Sequence, residues 1–171
     1  MNQLFYDDDH RLKYKGPMPH SKKEVLYQLA IGLEHIHSMK FIHCDIKPSN
    51  ALIWVGYDGA GGIEKVLMKW ADFGLSKRVG DTWIPILLGT NCFMAPELLQ
   101  WRNLKQGCTV KSDVFAEGIV FALFLLICNH HQYGDSNEWS VSKIKSNISN
   151  NKYIVNPQGK ICNAYTSIKV L

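Results

Sequence analysis

Asp45, Lys47 and Asn50 fall within the eight residues His43-Cys44-Asp45-Ile46-Lys47-Pro48-Ser49-Asn50, and Asp72-Phe73-Gly74 follows 22 residues after Asn50. An acid, a cation and a neutral amide so close together are three tools for handling phosphate. Phosphoryl transfer asks a protein for positioning and charge stabilisation rather than covalent chemistry. In that reading Asp45 is a base beside an attacking hydroxyl, and Lys47 stabilises charge developing on the transferred group. Asn50 offers a neutral oxygen to a magnesium ion and Asp72 a carboxylate that bridges metal and phosphates. Gly74 permits the sharp turn after Phe73. Any one of these residues alone reads as an ordinary surface residue; their order and spacing carry the signal.

These motifs resemble the catalytic loop and magnesium loop of the protein kinase family, with Cys44 where the family usually has arginine. The resemblance continues in Gly89-Thr90-Asn91-Cys92-Phe93-Met94-Ala95-Pro96-Glu97, similar to the end of the family's activation segment, and in Asp113-Val114-Phe115-Ala116-Glu117-Gly118, similar to its Asp-x-Trp/Phe-x-x-Gly helix start. It implies an ATP- and Mg2+-dependent Ser/Thr kinase acting on protein hydroxyls. Asp45, Lys47 and Thr90 are then catalytic, with Thr90 hydrogen-bonding Asp45 and Lys47. Leu52, Lys47, Asn50 and Asp72 contact the nucleotide, Leu52 beneath the adenine, and Asn50 and Asp72 hold the metal. Asp113 braces the catalytic-loop backbone. Gly32 to Ser38, Asp72 to Lys77, Asp113 to Phe121 and His131 to Ser136 look like the inositol-requiring-enzyme type of kinase–endoribonuclease, for the kinase part only.

The element pattern must place these groups. Ser21 and Glu24 form a capping-box pair before Val25, Leu26, Leu29, Leu33 and Ile36, which predicts a helix over about 21–38. Phe41-Ile42 reads as a short strand into the catalytic loop. Ala51 to Val55 and Val66 to Met68 read as strands joined by the glycine-rich turn 56–62, which lacks the spacing of a phosphate-binding loop. In the same way Lys69 imitates the family's strand lysine but belongs to this hairpin. Residues 75–94 read as a loop. Ser112 is expected to cap a helix over about 112–128 that is apolar almost all round and therefore buried. Beyond Asn129 the chain is polar.

The expected fold is mainly α with small β hairpins: a protein-kinase-like C-terminal lobe with the N-terminal lobe missing. Residues 1–20 are a residual hinge-side segment, 21–135 the lobe core, and 136–171 its polar, incomplete end. No glycine lid and no Val-Ala-Ile-Lys strand precede the core, so the chain reads as a fragment or a degenerate relative. A catalytically inactive docking module, or the kinase part of an unfolded-protein-response sensor, is the competing expectation. Glu97 lacks its usual arginine partner, the last arginine being Arg102, and is expected to be partly solvated or to weaken the fold. With Cys44 in the arginine's place, phosphorylation of the activation loop, at Thr82 above all, is expected not to switch the protein.

Bulk properties exclude other classes. An apolar content of 46% with 20% charged residues is that of a globular domain, not a disordered chain. The net charge of +4 is spread along the sequence, which gives no direct sign of nucleic-acid binding. Five cysteines form no CxxC pair, so free thiols in a reducing compartment are expected, with a neutral packed role for Cys44. The acidic N-terminus is unlike a signal peptide, and the longest apolar run, Ile119 to Cys128, is about half of a membrane span. A cytoplasmic location follows, or the cytosolic face of a membrane protein on the sensor-type reading; oligomeric state is open.

Overall fold

The computed structural model describes residues 2–3, 16–81, 91–99, 107–126 and 141–152. Thr82, Thr90, Arg102 and the segment 131–136 lie outside these described residues.

Helix α1 spans Lys22–Ser38. It starts where Ser21 turns extended and its hydroxyl accepts the Glu24 N–H at 3.1 Å. Val25, Leu29, Leu33 and Ile36 are buried along one stripe. The Glu24 carboxylate accepts from the Gln28 amide at 2.7 Å, and the Gln28 amide oxygen accepts the Met68 N–H at 2.7 Å. A cap-side acid is thereby tied to the neighbouring sheet. At the other end the Met39 and Lys40 N–H groups return to the His35 and His37 carbonyls at 3.1 and 2.9 Å. Lys40 takes a left-handed φ of 63°, which ends the helix and turns the chain into the next strand.

Among the described residues the strands form two small antiparallel sheets. In the larger, β1 (Asn2–Gln3), β3 (Ala51–Tyr57) and β4 (Ile63–Trp70) lie in the order β1-β3-β4. The β3–β4 ladder runs from Ala51 opposite Trp70 to Tyr57 opposite Ile63, with an irregularity at Gly56/Tyr57. Both strands are longer than expected from their apolar runs, because cross-strand pairing extends them through Trp54, Tyr57, Lys65 and Lys69 on the exposed side. The connecting turn is an Asp58 motif: its carboxylate oxygen accepts the Ala60 and Gly62 N–H groups at 2.9 and 2.7 Å. Gly61 at φ +81° fits that turn. Lys69 sits in β4 opposite Leu52, its ammonium 5.1 Å from the Trp54 ring centroid. The second sheet pairs β2 (Phe41–Ile42) with β5 (Lys77–Arg78). β5 lies within residues 75–94, where the sequence predicts a loop, because two residues are too short for periodicity to reveal.

Helix α2 (Pro96–Leu99) is a single turn. Helix α3 runs Val110–Leu126 and α4 Val141–Ser149. The cap of α3 is Thr109, not the expected Ser112: the Thr109 hydroxyl accepts the Ser112 N–H at 3.2 Å, while the Ser112 hydroxyl accepts the Thr109 N–H at 2.9 Å. This reciprocal box starts the helix two residues early. Ala116 and Val120 on α3 join a cluster with Leu29, Leu33, Ile53 and Trp70. Ile119 and Leu123 join a second cluster with Cys92 and with Ile144 and Ile148 of α4. Facing two clusters explains the nearly continuous apolar sequence of α3. It is not buried all round, however, since Val114 and Leu125 are exposed.

Candidate active site

The segment after β2 is shaped by one carboxylate. Asp113, near the start of α3 and 2% exposed, accepts the His43 N–H at 2.8 Å and the Cys44 N–H at 2.9 Å. It also meets His37 Nε2 of α1 at 3.0 Å. Cys44 holds φ 67°, a left-handed conformation that costs an L-residue roughly 1–2 kcal/mol. The hydrogen bond from its N–H to Asp113 offsets that cost. Asp113 thus does what the motif resemblance implied. The His37 contact spans 76 residues in sequence and could not be read from local spacing.

His43 is fully buried. Its Nδ1 accepts the Asp45 N–H at 3.3 Å, so its Nε2 carries the proton and donates to the Ala71 carbonyl at 3.0 Å. Burial lowers its pKa below the usual imidazole value, against the opposing pull of Asp113. The ring is therefore a neutral brace. The Phe73 ring lies 5.0 Å away and Trp70 6.4 Å edge-on.

Asp45 is 7% exposed, and its Oδ2 lies 2.6 Å from Lys47 Nζ and 3.2 Å from Asn50 Nδ2. Asn50 Nδ2 also donates to the Asp45 carbonyl at 2.9 Å. Lys47 is extended (φ −159°) because Pro48 follows it, and the one-turn 3-10 helix Pro48–Asn50 then swings Asn50 back under Asp45. With its amide nitrogen turned to Asp45, Asn50 directs its carbonyl oxygen the other way. Asp45, Lys47 and Asn50 are therefore one hydrogen-bonded group, as their spacing suggested.

Asp72 reaches this group through the backbone beside it. Ala71 donates its N–H to the Asn50 carbonyl at 2.9 Å and accepts from His43 at its own carbonyl. Asp72 is left-handed (φ 66°, ψ 73°), exposed, and accepts the Gly74 N–H at 3.4 Å. The Ser76 hydroxyl donates to the His43 carbonyl at 3.1 Å, a contact no motif signalled. Leu52 is half-buried on β3 between Gln3 and Lys69. Thr90 lies outside the described residues. Glu97 is half-buried on α2.

Two further groups crowd the site. Glu117, one turn along α3 from Asp113, is 9% exposed and its Oε1 has no hydrogen-bond partner. Burial, with the Asp113 charge, pushes its carboxyl up to about 7, and the Trp70 side chain only partly counters them. Beside the loop a small cavity is lined by Cys44, Asp45, Phe93, Cys108, Ser112 and Asp113, among others. Among the described residues no cluster of three or more His, Cys, Asp or Glu could hold a metal, and no helix is long and apolar enough to cross a membrane.

A carboxylate thus lies between an ammonium and an amide, with a second, exposed carboxylate on the neighbouring backbone. Comparison places the arrangement: the sequence profile of the protein kinase domain matches residues 7–165, and the chain belongs to that family. Over 117 residues it is 39% identical to the human serine/threonine-protein kinase/endoribonuclease IRE2, covering 66% of this chain and 12% of that protein. It is 36% identical over 99 residues to the eukaryotic translation initiation factor 2-alpha kinase 1 of Plasmodium falciparum, covering 57% of the chain and 6% of that protein. With mitogen-activated protein kinase kinase kinase 17 of Arabidopsis thaliana it shares 44% identity over 87 residues, 51% of the chain and 20% of that protein. The chain thus spans a minor part of the length of these relatives.

Proposed function

We propose that this chain is the catalytic, C-terminal-lobe portion of a serine/threonine protein kinase that transfers the γ-phosphate of ATP to protein hydroxyls. The observation that carries the reading is the Asp45–Lys47–Asn50 group, pinned through Asp113 to the start of α3. Asp45 takes up the proton of the acceptor hydroxyl. Lys47 holds Asp45 in place through their ion pair and lies within reach of the transferred group. Thr90 is assigned beside them on the motif.

Asn50 and Asp72 suit magnesium, which takes one or two protein oxygens together with phosphate oxygens and water. Asn50 presents its carbonyl oxygen away from Asp45, and Asp72 is exposed on the neighbouring backbone. Bound there, the ion would neutralise phosphate charge. Leu52, on the half-buried face of β3, would pack under the base of the nucleotide. Residues 21–135 form the lobe core in this reading, with 1–20 on the hinge side and 136–171 at its far end. The relatives come from several kinase subgroups, so the reading stays at Ser/Thr kinase and its protein substrate remains a class. A reducing, cytoplasmic setting accords with the free thiols of Cys44 and Cys108.

The test pairs transfer with binding. Phosphate transfer from radiolabelled ATP to a generic acceptor protein is measured for a protein extended upstream of this chain, with Asp45→Asn beside it. The variant should lose about 10²–10⁴-fold in turnover while nucleotide affinity changes little. Asp72→Asn should abolish the magnesium dependence of nucleotide binding. Transfer that survives Asp45→Asn would remove Asp45 as the base.

A further inference from the structure

Cys44 and Cys108 are 64 residues apart in sequence, yet they line the same cavity and each shifts the ionisation of the other. Both backbones are fixed. Cys44 is held by its N–H bond to Asp113. Cys108 immediately precedes Thr109, whose reciprocal bonds with Ser112 lock the start of α3. The cavity between them measures about 30 Å³, enough for a molecule of the size of water or hydrogen peroxide. The Cys44 S–H donates to the Ile42 carbonyl at 3.6 Å.

We propose that Cys44 and Cys108 are a peroxide-sensitive thiol pair that closes into a disulfide, cross-linking the catalytic loop to the cap of α3 one residue from Asp45. The pair is asymmetric. The neighbouring Cys44 lowers the pKa of Cys108, while Cys108 and burial push that of Cys44 up. Cys108 is therefore the more readily ionised of the two and the attacking sulfur. It attacks one oxygen of hydrogen peroxide: the S–O bond forms, the O–O bond breaks, and hydroxide leaves with the electron pair. The Cys44 sulfur then attacks the Cys108 sulfenic acid. The S–S bond forms, the S–O bond breaks, and the Cys44 proton leaves with the departing hydroxide as water. Two thiols are oxidised, one peroxide is reduced, and two waters result. Two sulfurs that line one small cavity then close to an S–S length of about 2.05 Å.

The experiment needs no phosphotransfer, so it stands apart from the proposed function. The folded 171-residue chain is treated with a small excess of hydrogen peroxide, remaining thiols are alkylated, and the unreduced protein is cut with trypsin. The expected product is peptide 106–111 joined to peptide 41–65, two hydrogens lighter than their sum and separated by dithiothreitol. It should account for most of Cys108. In Cys44→Ser, Cys108 should stop at a sulfenic acid that dimedone traps. In Cys108→Ser, Cys44 should stay as alkylatable as in the untreated chain. In urea the cross-links should spread over all five cysteines. A folded wild-type chain that lacks the 44–108 link overturns the proposal, whether Cys108 pairs with Cys92, Cys128 or Cys162, oxidises alone, or stays reduced.

Discussion

Glu117 is a carboxyl with no hydrogen-bond partner for one oxygen, close to a carboxylate that is fully engaged. Its folded pKa of about 7 lies above its ordinary 4.5. Between the two values the folded chain keeps a proton that the unfolded chain has released, so stability falls as pH rises from about 4.5 to about 7. The full loss is about 3 kcal/mol. His43 works oppositely: its lowered pKa makes the folded state bind fewer protons, so its contribution declines as pH drops through the ordinary imidazole range. Glu117→Gln separates the two. The variant should gain little over the wild type at pH 5 and close to the full 3 kcal/mol at pH 8, read as the difference in urea midpoints. A constant difference across that range would mean that Glu117 is already ionised when folded. At this scale the sequence was readable where chemistry demands particular residues at short spacing, as at Asp45, Lys47, Asn50 and Asp72. It was opaque where the partner is remote, as with His37 on Asp113 or Cys108 on Cys44, because no local pattern encodes a contact made only by the completed fold.

The loop and α3 are separate in sequence and mechanically one unit through Asp113. Asp113→Ala removes the acceptor of two N–H groups, one of them on a residue with a strained φ, and leaves His37 without its carboxylate. Each buried donor left unpaired costs about 1–3 kcal/mol. The expected destabilisation is therefore roughly 2–5 kcal/mol, with amide exchange at 43–45 accelerating more than at the centre of α1. Uniform acceleration would show that Asp113 supports the fold at large and not the loop in particular. The elements that carry such links differ in how plainly they were written. Helix α1 is legible from five apolar residues at helical spacing and a serine cap. The start of α3 was misplaced because Ser112 stands nearest the apolar run, although Thr109 makes the cap. Helix α4 is hidden by a polar composition in which Val141, Ile144 and Ile148 are the only apolar residues.

The two apolar clusters meet on α3, with Phe93 packed against both. Helix α3 is thus a shared wall, and the clusters should open together. Ile148→Ala, at a fully buried position of the second cluster, should cost about 2–5 kcal/mol. Hydrogen exchange should then show that loss at Leu29 and Leu33 in the first cluster as well as within α4. Loss confined to α4 would make the clusters independent units. The β3–β4 hairpin stands differently. One end of its ladder, Ala51 opposite Trp70, adjoins Asn50 and Ala71 and so adjoins the site. The other end is the solvent-exposed turn at Asp58–Gly62, seven cross-strand pairs away, roughly 20 Å at the rise of a strand. That turn is consequently a natural place to graft a purification handle or a fluorescent reporter, since added length there is absorbed far from the groups that hold Asp45.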